Sequence, residues 1–192
     1  VIDEDHPCFV GMLGMHGNYA PNKLTNEADL IIAAGMRFDD RVTGDVKRYA
    51  PKAKIIHIDI DKAELNKNVK ADLAIHADIK DFLKQIIPAQ YYTCNSEWRH
   101  KFNELNEMEK EKVITPELSP ENGHLRAGEV ISKVSALTNR EAIVVTDVGQ
   151  NQMMAARYYG FKDPNTLITS GGLGTMGFGL PAAVGAQVGR PD

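Results

Sequence analysis

Cysteine is nearly absent from this chain of 192 residues: only Cys8 and Cys94 occur, 86 positions apart. Two such residues make neither a disulfide framework nor a four-thiolate zinc site. Aromatic residues are equally sparse, at 7% with one tryptophan, Trp98. No apolar run approaches the roughly 18 residues a membrane-spanning helix needs, and no basic-then-apolar targeting segment opens the chain. Nor is there an excess of positive charge, since 22 basic residues face 26 acidic ones for a formal net charge of −4. Without a basic stripe to neutralise phosphates, nucleic acid is excluded as a partner class. The expectation is an intracellular, cytoplasmic protein (organellar in a eukaryote) that needs no membrane.

What is present is ordinary globular composition, 43% hydrophobic and 25% charged. At roughly 150 residues per domain, the length allows one large domain or parts of two. The first residue is Val1, and the chain closes abruptly at Gly189-Arg190-Pro191-Asp192, which reads as an internal fragment of a longer protein.

Short β-branched runs alternate with helical stretches, the pattern of an α/β fold with parallel sheets and flanking helices. Ala28–Gly35 is nearly all apolar and is expected to be a strand buried on both faces. Further strands are expected at Lys54–Asp61, Leu73–Asp78, Ala142–Gly149 and Thr166–Thr169. The first three should be parallel neighbours, with the 142–148 strand in a separate sheet. Apolar residues at 79, 82, 83, 86 and 87 predict one helix face, stopped by Pro88. Residues 89–124 read as a polar helix followed by a linker punctuated by Pro116 and Pro120, and helical periodicity resumes over Ala127–Leu137.

Five segments carry residues suited to ligand chemistry. Gly11-Met-Leu-Gly-Met-His-Gly17, expected at a strand end, is either a tight turn or a place where bare backbone approaches a ligand. Gly35-Met-Arg-Phe-Asp-Asp-Arg-Val42 follows a buried strand, where open α/β sheets bind ligands. Its arginines and aspartates either pair with one another or orient an anion in a guanidinium fork. His57, Asp59 and Asp61 alternate on a strand and so share a face. They could ligate a metal, or Asp59, 24 residues beyond Gly35, could accept from a ribose. Asp147-Val-Gly-Gln-Asn-Gln152 marks a strand-to-helix junction whose amides suit a phosphate. Finally, Gly171–Gly179 is glycine at five of nine positions, with Met176 its one large flexible side chain.

In combination these segments resemble the large, catalytic subunits of acetolactate synthase (acetohydroxyacid synthase), a thiamine-diphosphate enzyme family. The likeness is carried by Gly11–Gly17, Arg37–Gly44, Ile55–Asp61, Val148–Met153 and Ser170–Ala183, in the family's order. It implies the later part of a Rossmann-like central FAD-binding domain over 1–88, a polar helix and linker over 89–124, and the start of a thiamine-diphosphate-binding domain over 125–192. Gly14, Met15 and His16 would touch the flavin, which is not a redox agent in turnover. Gly35, Arg37, Asp39, Arg41 and Val42 would hold its ribityl and phosphate portion. Asp59 and Ile60 would meet the adenosine end and Asp78 the adenine. Arg41 is also similar to a residue near the substrate carboxylate. Val148, Gly149, Gln150 and Asn151 would contact the diphosphate, where Asn151 departs from the family's usual histidine. Gly174 and Met176 would hold the aminopyrimidine, with Met176 wedging the cofactor into a bent shape.

The implied reaction passes the hydroxyethyl unit of decarboxylated pyruvate to a second 2-ketoacid, pyruvate or 2-oxobutyrate, in branched-chain amino acid biosynthesis. The activating glutamate and the Mg²⁺ ligands of the family lie outside these residues, so no catalytic or metal residue is assigned and this stretch alone is expected to be inactive. A homo-oligomer, at least a dimer, and a small regulatory subunit are the implied partners. Glyoxylate carboligase is the nearest alternative within the class. A non-catalytic nucleotide-binding module is the alternative outside it.

Overall fold

The computed structural model describes residues 6, 8–87, 96–121 and 123–191. Pro88 with its expected helix stop, Cys94, Val1, Asp192 and the first part of the expected 89–124 segment lie outside the described residues. The chain divides into two compact units: the described residues of Met12–Asn106, and those of Val1–Gly11 with Glu107–Asp192.

The first unit runs α1 (Tyr19–Leu24), a short 3₁₀ turn, β1 (Leu30–Ala34), α2 (Asp40–Thr43), β2 (Lys54–Asp59), β3 (Leu73–His76) and α3 (Ile79–Ile86). The three strands form one parallel sheet in the order β1-β2-β3, as the spacing of the runs predicts. Ile31 lies opposite Ile55 and Ala33 opposite His57, while Ile58 faces Ile75. The core is built from Ala33 and Ile55 beneath Phe38, Tyr49 and Ala50 of the first crossover and Val69 of the second.

Both crossovers thus pack on the same side, which corrects the expectation that β1 is buried on both faces. On the other side the middle strand is sheltered, with Ile58 fully buried, but Leu30 and Ile32 are 48% and 58% exposed. The same holds for α3. Its apolar stripe falls where the periodicity puts it, yet Leu83 and Ile86 remain exposed and the helix has no buried residue.

The helix α4 (Ser96–Glu109) passes through a wider π turn at Lys110–Ile114 into α5 (Thr115–Leu118). The expected proline-punctuated linker is therefore helical as far as Leu118. Pro116 sits in the first turn of α5, where a missing N–H costs little, and the π turn before it absorbs the lost i→i−4 bond. The helix ends at Ser119, before Pro120.

Beyond it come α6 (Ala127–Leu137), β4 (Val144–Val145), α7 (Gln150–Tyr158), β5 (Leu167–Ile168) and α8 (Gly179–Gly189). β4 and β5 pair in parallel as a second, separate sheet. β4 is shorter than its apolar run; just past it Thr146 N–H still donates to Ile168 O at 3.0 Å while the Thr146 hydroxyl donates to Thr169 Oγ1 at 2.8 Å. Arg157 of α7 pairs with the buried carboxylate of Glu109. Among the described residues no helix is long and apolar enough to cross a membrane.

Beside the equally buried His57, Ile58 is the fully buried aliphatic side chain of the central strand. Replacing it with alanine is expected to cost about 2–5 kcal/mol through lost transfer energy plus an unfilled cavity. Native-state amide exchange of β2 in the full-length protein measures this, and a loss below about 1 kcal/mol, less than the range for such truncations, contradicts the packing described.

Candidate cofactor sites

In the first unit, parallel pairing sends all three strands out at one edge. Gly35 N–H donates to Ile58 O at 2.8 Å and Ala77 N–H to Asp59 O at 3.1 Å, so the turns after β1, β2 and β3 start side by side. This gathers Gly35, Arg37, Asp39, Asp59, Ile60 and Asp78 at the edge where ligands of open α/β sheets sit.

The Gly11–Gly17 segment joins them, although no strand precedes it among the described residues. It is a loop, fixed by two asparagines that sequence reasoning passed over. Asn22 accepts from Gly14 N–H and donates to Gly14 O, both at 2.9 Å, while Asn18 Oδ1 accepts from Met12 N–H at 3.0 Å. Their i, i+4 spacing at the start of α1 was the available signal. Met15 N–H donates to Arg41 O at 2.8 Å, so the loop lies against Arg41 and Val42. Gly17 has no room for more: an added Cβ would stand 2.1 Å from Met12 O.

The charged residues divide their duties unequally. Arg37 is committed to Asp39, its Nη2 lying 2.6 Å from Oδ2. Asp39 also caps α2 by accepting from Arg41 N–H at 3.1 Å. Arg41 is left with a 3.7 Å approach to Asp40 and 69% of its side chain in solvent, the less engaged cation of the two.

Asp59 is buried, and its Oδ1 accepts from Asp61 N–H at 2.8 Å. Asp78 caps α3, accepting from Lys80 N–H at 2.8 Å. Ile60 is 68% exposed, and its carbonyl lies 2.9 Å from His76 Nε2. The metal reading of His57, Asp59 and Asp61 fails because β2 ends at Asp59, and no His/Cys/Asp/Glu group among the described residues could hold an ion. His57 is instead a core side chain, edge-on to Phe38 with ring centroids 5.0 Å apart.

In the second unit, α7 begins immediately after Gly149, whose φ of 119° and ψ of −150° belong to a region essentially confined to glycine. No side chain caps this helix, and an added Cβ on Gly149 would meet nothing within 4 Å. Gln150 and Asn151 are exposed, and no intrahelical acceptor can serve their first-turn amides. Asn151 Nδ2 turns back to Val148 O at 3.4 Å.

The Gly171–Gly179 loop is tied at both ends. Ser170 O accepts from Gly174 N–H and Ser170 Oγ from Thr175 N–H, each at 3.0 Å. Beyond Met176, Asp147 accepts from the amides of Gly177 and Gly179 as well as from Val148. The amides of Val148, Gly179 and Gly177 hold its carboxyl below the usual carboxylate range. Its contribution to stability is therefore present above that range and is lost as pH falls through the lowered value. Gln152 adds a third tie, donating to Thr169 Oγ1 at 2.8 Å. Met176 itself is 82% exposed.

Parallel sheets whose strand ends open into turns, with a bare helix start beside a tethered glycine loop, define an α/β protein whose geometry suits phosphate-bearing ligands. Comparison with known proteins makes this particular. The central domain of thiamine pyrophosphate enzymes matches residues 1–86, and their C-terminal TPP binding domain matches residues 147–192. Over 98% of its length the chain is 44% identical to a probable acetolactate synthase large subunit of Methanocaldococcus jannaschii, covering 32% of that relative. It is 44% identical over its whole length to the acetolactate synthase isozyme 1 large subunit of Escherichia coli, covering 33% of it. The chloroplastic acetolactate synthase 1 of Oryza sativa is 42% identical over 97% of the chain, with 29% of that relative covered. The chain belongs to the thiamine pyrophosphate enzymes, and it spans about a third of the length of these curated relatives.

Because Asp78 is spent on capping, Asp78→Ala is expected to destabilise α3 by about 0.5–2 kcal/mol. Amide exchange across residues 79–86 checks this; unchanged protection would free the carboxylate for a ligand.

Proposed function

We propose that this chain is part of an acetolactate synthase large subunit, which condenses the two-carbon unit of pyruvate with a second 2-ketoacid, pyruvate or 2-oxobutyrate. The observation that carries the reading is the uncapped start of α7 behind Gly149, inside the residues matched to the TPP binding domain. When bound, thiamine diphosphate supplies a carbon nucleophile that also accepts the electron pair released by decarboxylation. The protein's part is geometry. Gly149, Gln150 and Asn151 would hold the diphosphate through backbone N–H groups and the Asn151 amide, with Val148, whose N–H is taken by Asp147, lying alongside it. Gly174 and Met176 would meet the aminopyrimidine, and the exposed Met176 side chain is free to wedge beneath it.

The same proposal gives FAD the edge of the first sheet. Gly35, at φ 63° with open space where a Cβ would stand, and the little-engaged Arg41 suit a phosphate-bearing ligand. Gly14, Met15, His16 and Val42 lie on the loop and turn beside it, with Arg37 and Asp39 as the pair that shapes the turn. Arg41 would also meet a substrate carboxylate. Asp59, Ile60 and Asp78 stand at the neighbouring strand ends for the adenosine, offering mainly backbone and surface because the two carboxylates already serve amide groups. Mg²⁺ would be bound by residues outside those described.

A glyoxylate carboligase or a non-catalytic nucleotide-binding module is less well supported, since each relative named above is an acetolactate synthase. The description of the two prokaryotic relatives as large subunits supports a smaller partner subunit, and a regulatory role for that partner and a homo-oligomer belong to the same proposal. A cytoplasmic or organellar location is proposed with them.

Two measurements on the full-length protein test the reading. Gly149→Ala should weaken thiamine diphosphate binding at least about tenfold, because alanine cannot hold the φ of 119° and the shifted turn would lose a charge-assisted amide contact worth roughly 1.5–3 kcal/mol. Met176→Ala should instead lower kcat by on the order of 10²-fold with little change in affinity. Equal losses of both in the methionine variant would make Met176 packing alone. Separately, Arg41→Ala should release flavin on dialysis, again by a contact of roughly 1.5–3 kcal/mol, and undiminished flavin occupancy contradicts the FAD assignment.

A further inference from the structure

We infer that Asp147 is a positioning residue for the thiamine diphosphate site: its one carboxylate clips the turn that opens α7 to the glycine loop that presents Met176. The inference rests on the reading of Gly149–Asn151 and Met176 given above. Its geometry stands without that reading. Oδ1 accepts from Val148 N–H at 2.8 Å, Oδ2 accepts from Gly179 N–H at 2.9 Å, and Gly177 N–H bridges the two oxygens at 3.1 and 3.0 Å. Thirty and thirty-two residues of chain separate the last two donors from the acceptor.

The rest of the unit supplies little that could do this work. The β4–β5 ladder is two residues long on each strand, and Leu173 and Met176 are almost fully exposed, so no packing fixes the loop. Ser170 sets its incoming end through Gly174 and Thr175. Asp147 sets the outgoing end, and Met176 is bracketed between them.

The close approach is built in, because a Cβ on Gly179 would stand 3.0 Å from Asp147 N. A carboxylate is the side chain such a cluster requires. It offers two acceptor oxygens and no donor, whereas an asparagine keeps one oxygen and aims an NH₂ group at amides that also donate. Gln152 ties the start of the loop to α7 through Thr169, but beyond Met176 the loop is joined to the diphosphate turn through Asp147, so the outgoing side of the wedge follows that turn while the clip is closed. Loosening it should misplace the wedge without removing the helix-start amides.

The test uses the full-length protein in both cofactor-free and thiamine-diphosphate-loaded forms. In the cofactor-free Asp147→Ala variant, amide exchange at Gly177 and Gly179 should rise at least about tenfold, the loss of charge-assisted bonds, while β1–β3 stay protected. In the loaded enzyme kcat should fall by on the order of 10²-fold with affinity changed only a few-fold. Adding Met176→Ala to Asp147→Ala should cost little more than either alone, because both remove the same wedge. Asp147→Asn, with one oxygen left, should be intermediate in exchange and kcat, and it carries the same measurements if the alanine variant does not fold. Unchanged exchange at Gly177 and Gly179, fully additive losses in the double variant, or an equal fall in affinity and kcat would each overturn the inference. A wild-type protein that binds no thiamine diphosphate would sink the site reading and with it the positioning role. The exchange result would then still report whether the clip exists.

Discussion

Parallel strand pairing is the constraint on which the first unit's chemistry depends. A hairpin would return each strand to the opposite edge, but β1, β2 and β3 all leave the sheet in one direction. Gly35, Ile60 and Ala77 therefore begin their turns together, and the segment from Gly11 to Gly17 needs only the contact between Met15 and Arg41 to join them. Parallel pairing also demands long connections, and the core follows from where these run. Phe38, Tyr49, Ala50 and Val69 come from crossovers, not strands, so the residues that link the sheet also bury it.

A second regularity concerns acidic side chains. Asp39, Asp59, Asp78 and Asp147 all stand at element ends, and each carboxylate is engaged by backbone amides. Such contacts satisfy donors that no helix or strand ladder can reach. They also explain why an acid at a strand end need not be a ligand group. Asp78 is a helix cap by geometry whatever else lies near it, and Asp39 fixes Arg37 while its neighbour Arg41 stays largely in solvent.

Much of this was legible in the sequence, for reasons that are local. β-branched runs of four to six residues and the 3.6-residue stripe over Ile79–Ile86 follow from backbone sterics and side-chain period, which a short window contains. The glycine at the start of α7 was legible because its backbone conformation admits almost nothing else. Coverage was not legible. The apolar run at Ala28–Gly35 signals strand, but which of its faces is covered depends on two crossovers that both settle on the Ile31 side. Pro116 misled because proline stops a helix in most contexts, and a π turn upstream is a compensation no composition reveals. Asp147 stood in view at the head of its motif. Its role needed the knowledge that Gly177 and Gly179 come back to it.

An acidic chain offers a phosphate-bearing ligand little long-range attraction, so under the proposed reading the site residues would act at short range. A net charge of −4 contributes no overall long-range attraction for a diphosphate. What remains are oriented dipoles, the amides at a helix start that bare glycines let a phosphate approach, together with one weakly paired cation, Arg41. Dipoles act only at contact and only when aimed, so affinity and reactivity come to depend on loop geometry more than on charge count. That shifts the burden to whatever aims them. In the second unit the aiming is done by another charge, the carboxylate of Asp147, placed where it binds protein amides and not ligand. Its negative charge opposes an incoming anion, yet three amides already neutralise much of it. The same residue that makes the neighbourhood more acidic thereby fixes the backbone that the anion would meet.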